Sequence, residues 1–253
     1  MSRIVDHPFL VFAVSVVALW LSAYVGDFIS KQVLPLRKGE RDYFGVILTA
    51  SLTLLALIIG FSFAMAISRY DQRKAYEEAE ANAIGTEYVR VDLFPAADAA
   101  RVRELLRKYL DQRLLFYETR DEHRLAEIEA STAQLQGDLW STVQRVAAAQ
   151  PTPLAALTVS GMNDVLNSEG YTQAAWWNRI PIAAWALMAA IAVSCSLLLG
   201  YAAPETDVLL FLVLPIILAI PLFLIADIDS PRGGVIRVLP HNLERLAHSL
   251  NVR

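Results

Sequence analysis

Residues 43–68 read YFGVILTASLTLLALIIGFSFAMAIS, and no Asp, Glu, Lys, Arg or His interrupts them. A bilayer hydrocarbon core of about 30 Å needs roughly 20 helical residues. The stretch is long enough to span it, and backbone polar groups in lipid must bond internally, which makes it a helix. A soluble core helix rarely stays apolar for so long without a polar stripe. Pro8–Gly26, Ile180–Pro204 and Val208–Ala226 share the pattern. The expected fold is therefore all-α, a polytopic membrane protein with four transmembrane helices and a helical domain between helices 2 and 3. The expected division is 1–68 for transmembrane helices 1 and 2, 69–177 for a cytoplasmic helical domain, 178–228 for transmembrane helices 3 and 4, and 229–253 for a cytoplasmic tail. The first apolar stretch reads as a retained helix. Its short leading segment carries Asp6 as well as Arg3, and no small-x-small cleavage site follows before Asp27.

Composition agrees with this reading. The chain is 55% hydrophobic and 19% charged, with a mean hydropathy of +0.40. A net charge of −4 without a basic stripe argues against a nucleic-acid partner. A single cysteine, Cys195, excludes an internal disulfide and a thiol metal cluster. His7, His123, His241 and His248 are scattered, and none stands at a metal-ligand spacing from a second ligand. No metal and no cofactor is expected. No nucleophile elbow, phosphate-binding glycine loop or His-Glu-x-x-His is present, so no enzymatic activity is expected either.

Charge asymmetry sets the expected orientation. The connection near Tyr201–Asp207 has no Lys or Arg but holds Glu205 and Asp207, whereas Arg3, Arg69, Arg73, Lys74, Arg179, Arg232, Arg237 and Arg245 flank the other helix ends. The positive-inside tendency places the helical domain and both termini in the cytoplasm. Lys31, Arg37, Lys38 and Arg41 pull the other way.

Between Arg69 and Trp177 helices are expected throughout. No Gly or Pro lies between Phe61 and Asn82, so the second membrane helix should run on toward Leu93 and stop before Pro95. Further helices fit Ala97–Tyr117, Asp121–Ala148 and, after the Gln150-Pro151-Thr152-Pro153 break, Leu154–Asn167, ended by Ser168-Glu169-Gly170. The run Glu77, Glu78, Glu80 reads as a solvated face. Trp176 and Trp177 read as an interfacial belt ahead of the third membrane helix.

Two segments stand apart: Ile58–Tyr70, at the inner half of the second helix, and Ile225–Gly234, just past the fourth. Asp227 and Asp229 should organise the exit from the fourth helix with a turn through Pro231 and Gly233. Arg69 or Arg73 is their natural counter-charge, and Arg232 would repel a cation. Thr53, Leu57 and Phe61 are spaced by four and share one helix face. On spacing alone, such a face also suits helix–helix or lipid contact.

These segments resemble the bestrophins, and more closely a group of bacterial bestrophin-like membrane proteins. Ile59-Gly60-Phe61 followed by Arg69-Tyr70 is similar to that family's Leu-Gly-Phe element and its Arg-aromatic pair eight residues after the Phe. Asp229-Ser230-Pro231-Arg232-Gly233 stands where the family has a Glu-Asn/Asp-Pro-Phe-Gly element, and Ala81-Asn82-Ala83-Ile84-Gly85-Thr86 resembles a pattern of the bacterial group. The sequence departs from the family at Asp71 and Arg232, and no acid stands at Gly234–Arg237, where animal bestrophins bind calcium. The resemblance implies a pentameric homo-oligomer in the bacterial inner (plasma) membrane that conducts inorganic ions, chloride or other anions among them. It implies a pore neck at Thr53, Leu57 and Phe61. Arg69 would lie near the cytoplasmic mouth, as a cation ring or as a headgroup anchor. The alternative is a non-conducting scaffold or sensor that recruits a cytoplasmic partner through its helical domain.

Overall fold

The computed structural model describes residues 4–33, 41–203 and 210–251. They form helices α1 (Pro8–Gln32), α2 (Arg41–Arg90), α3 (Ala96–Glu118), α4 (Glu122–Ala149), α5 (Pro153–Trp177), α6 (Ile182–Ala202), α7 (Leu210–Asp229) and α8 (His241–Asn251), with 3-10 turns at Ile4–Asp6 and Val91–Leu93. No strand occurs among the described residues, so the all-α expectation holds. Four helical stretches among them are long and apolar enough to cross a membrane. Arg3, Arg37, Lys38, Glu205 and Asp207, on which the orientation expectation leans, lie outside the described residues.

The chain divides into two compact units. The first comprises Met1–Arg69 and Arg179–Arg237, the second Tyr70–Asn178 and Val238–Arg253. The segment 229–253, expected as one tail, is shared between them. In the first unit, α1 packs against α6 and α7. Close approach of α1 and α6 rests on two glycines. A Cβ at Gly26 would stand 2.1 Å from the Leu197 carbonyl oxygen, and one at Gly200 would stand 1.8 Å from the Ala23 carbonyl oxygen. Small residues at membrane helix interfaces let backbones meet in this way. Ser22 Oγ adds a 2.8 Å hydrogen bond to the Val193 carbonyl.

The second unit is a helical domain with its own core, built from Leu105, Leu106, Leu110, Phe116, Leu139, Val143 and Met162 among others. Its helix starts are legible in sequence. Asp121 accepts from the His123 amide at 2.9 Å, and Thr152 accepts from the Ala155 amide at 3.1 Å with Pro153 in the first turn. α2 remains helical from Arg41 through Arg90, and the stretch between Phe61 and Asn82, free of Gly and Pro, is unbroken as expected.

Three expectations fail here. The helix expected to end at Ser168-Glu169-Gly170 continues to Trp177. The Ser168 hydroxyl donates back to the Val165 carbonyl at 2.7 Å. Thr172, Ala175 and Trp176 beyond it are buried, and their burial outweighs the roughly 1 kcal/mol cost of one glycine. Trp176 is no belt residue: it is buried against Phe116 and Tyr117, at ring-centroid distances of 4.9 and 5.5 Å, whereas Trp177 is 73% exposed. Glu77 and Glu80 are buried, and only Glu78 keeps the solvated position expected of all three.

Candidate functional site

α2 presents two different faces. Leu55, Ile59, Ser62 and Ala66 are buried and follow one another at helical spacing. Residues two apart lie about 200° around a helix, so Thr53, Leu57 and Phe61 project from the opposite side. All three are exposed, Leu57 at 54% and Phe61 at 66%. Thr53 Oγ1 turns back to the Thr49 carbonyl at 2.9 Å, which hides its hydroxyl dipole along the helix. Leu54 and Met65 widen the exposed apolar strip. Arg69 is different, because its side chain is mostly buried and its Nη1 stands 3.6 Å from Asp229 Oδ1.

Asp229 belongs to a polar corner at the end of α7. Its carboxylate accepts from the Ile180 amide at 3.2 Å and from Arg179 Nε at 3.3 Å. Arg179 also pairs with Asp6. Asp227, two residues earlier, accepts from the amides of Val235 and Ile236 at 2.7 and 2.8 Å. These bonds fold the chain after Pro231 back over the helix end. Gly233 and Gly234 make room for it: a Cβ at Gly233 would stand 2.0 Å from the Asp6 carbonyl oxygen, and one at Gly234 would stand 2.2 Å from that of Asp227. Neither glycine has positive φ, so close backbone approach is what selects them.

Sequence reasoning named Asp227, Asp229, Pro231, Gly233 and Arg69, and the structure brings them to this corner. Arg73, the other counter-charge considered, is buried and donates to the Ala175 carbonyl at 3.4 Å. Asp6, Arg179 and the Ile180 amide were missed. Their one signal was a charge placed at each apolar boundary, which any membrane helix shows. Among the described residues no group of three or more His, Cys, Asp or Glu is arranged to hold a metal ion.

The helical domain holds a second polar assembly that sequence reasoning missed entirely. Glu80 accepts from Arg113 Nε, from Tyr117 Oη at 3.4 Å and from Thr172 Oγ1 at 3.1 Å, all buried. Arg113 also lies 3.8 Å from Glu169 and over the Phe116 ring. Burial would lower the Arg113 pKa, but the Glu80 carboxylate more than reverses that and holds it above its ordinary value. Glu77 closes the start of α8, accepting from the amides of Asn242 and Leu243 at 2.8 and 3.0 Å. A carboxylate there satisfies donors that a helix leaves open.

Apolar spanning helices joined to a separately packed helical domain define a multi-pass helical membrane protein. The chain belongs to the Bestrophin-like family, whose domain matches residues 10–243. No curated protein matches it. Its fold is similar to crystal structures of a bacterial bestrophin homolog from Klebsiella pneumoniae. One of these, carrying a point mutation, has a TM-score of 0.64 at 14% identity, over 95% of this chain and 94% of that one. Another has a TM-score of 0.62 at 15% identity, over 96% and 95%. At such identity the likeness concerns the fold.

Proposed function

We propose that this protein is an oligomeric, anion-conducting ion channel of a bacterial inner membrane, with a pore lined by α2. The observation that carries the reading is the exposed apolar strip through Thr53, Leu57 and Phe61, opposite the face that α2 buries. One copy leaves that strip uncovered. A symmetric ring of copies, five by the family resemblance, covers it and encloses a passage. Membership of the Bestrophin-like family supports a conducting protein rather than an enzyme.

The three side chains occupy about 12 Å along the helix at 1.5 Å per residue. Phe61 is the largest and forms the narrowest apolar ring. A narrow apolar tube excludes water and blocks ions until it widens or wets. Arg69, two turns further along, places positive charge beyond the neck and raises the local anion concentration there. Asp229 offsets part of that charge.

The test is Phe61→Ala in the full chain, reconstituted in liposomes and assayed for chloride and potassium flux. A smaller ring wets more readily, so chloride flux rises severalfold over wild type. A Phe61 that faces lipid or packs between helices leaves flux unchanged or lowers it through instability, which overturns the neck assignment. If wild type and variant are both folded oligomers that conduct nothing, the protein is a scaffold.

A further inference from the structure

Glu87 is the one carboxylate among the described residues with both oxygens buried and without a hydrogen-bond partner. Its exposure is 0%. It lies on α2, one turn before that helix ends at Arg90, and its carboxyl group rests on Gly161 of α5. A Cβ at Gly161 would stand 2.0 Å from Glu87 Oε2 and 2.6 Å from Arg90 Nη1. Glycine is therefore what lets the acid seat against α5. Arg90 is near but does not hydrogen-bond the carboxylate.

We propose that Glu87 is a proton-binding site of the helical domain: it is held as the neutral acid at neutral pH, and its ionisation in alkaline medium loosens the seat of α2 on α5. An ionised carboxylate cannot remain in a dry interior without partners. Burial raises its pKa from 4.5 to about 8. Two charged groups act on it as well. Arg90, on its own helix, pulls the value down, and Asp164, from α5, pushes it further up.

The direction of the pH effect follows from the proton count. Once opened to water, Glu87 releases its proton near 4.5, whereas in the packed domain it keeps it until about 8. Between those values the packed state holds one more proton, so its stability falls as pH rises and levels off above the upper value. The α2–α5 seat is thus strongest in acid and weakest in alkali. This does not depend on whether the protein conducts, because the effect is read in the helical domain itself.

The experiment is hydrogen exchange of the full chain in lipid nanodiscs, followed in peptides covering 82–93 and 154–166 and corrected for the chemical exchange rate. For wild type, protection falls roughly fiftyfold between about pH 6 and about pH 8, the effect of one proton lost on opening. Glu87→Gln keeps the shape of the acid without its ionisation, and protection there is flat over the same range. If Glu87→Gln does not assemble, Glu87→Met carries the same expectation. Equal pH dependence in wild type and variant, or none in wild type, overturns the proposal.

Discussion

Asp229 shows how one side chain can look like a metal ligand and serve as a joint. Its buried carboxylate already faces the Ile180 amide, Arg179 and Arg69. Two cations at this distance repel a third, and Asp227 is committed to two backbone amides. A hard divalent cation also needs six or more oxygens, which this corner does not assemble. Asp229→Ala strands the buried Ile180 amide and takes from Arg69 its carboxylate partner, while Arg179 keeps Asp6, and a stranded buried donor costs about 1–3 kcal/mol. Thermal unfolding in detergent should show that loss, and Asp229→Asn should recover part of it by still accepting from Ile180. Calcium or a chelator should leave the wild-type midpoint unchanged. A calcium-dependent rise that disappears in Asp229→Ala would refute this account.

At the scale of elements, α2 is the decisive one. It spans Arg41–Arg90 and contributes to both units. Ala75 is exposed on it, away from every packed face, so a substitution there tests the backbone alone. Ala75→Pro removes a helix hydrogen bond and clashes with the preceding turn, at a cost of about 3 kcal/mol or more. The variant should unfold at lower temperature and yield less oligomer by size-exclusion chromatography with light scattering. Wild-type behaviour would mean that α2 does not act as one helix in the assembled protein. α5 carries the converse lesson. Its serine and glycine at 168 and 170 read locally as a stop, yet buried Thr172 and Trp176 carry the helix past them.

For the whole molecule, charge asymmetry bears on which side of the membrane holds the helical domain. The connection around Glu205 lacks Lys and Arg, and basic residues crowd the opposite helix ends. From the positive-inside tendency we propose that the helical domain is cytoplasmic. Reporter fusions at Pro151 and at Glu205 should then report opposite compartments, with Pro151 inside. A periplasmic signal from Pro151 would invert the topology, and the mouth assigned to Arg69 would face outward.

Length and polarity of apolar blocks are local properties, so the sequence by itself determined the membrane helices, their order and the inserted helical domain. The continuity of α2 was equally legible, because it needs only the absence of breakers between Phe61 and Asn82. Thr53, Leu57 and Phe61 could be placed on one face by arithmetic, but which face α2 buries depends on its neighbours. The tertiary structure alone decided that Glu80 meets Arg113 and Thr172, polar residues distant in sequence that look solvated when read singly. It also decided that Trp176 is core, that Arg179 and Asp6 join Asp229, and that Gly161 seats Glu87. Each of these depends on a contact between helices, and helical periodicity names the face of a residue without naming the partner opposite. A carboxylate becomes buried, paired or stranded only when that partner is in place, because the cost of its charge is set by what surrounds it.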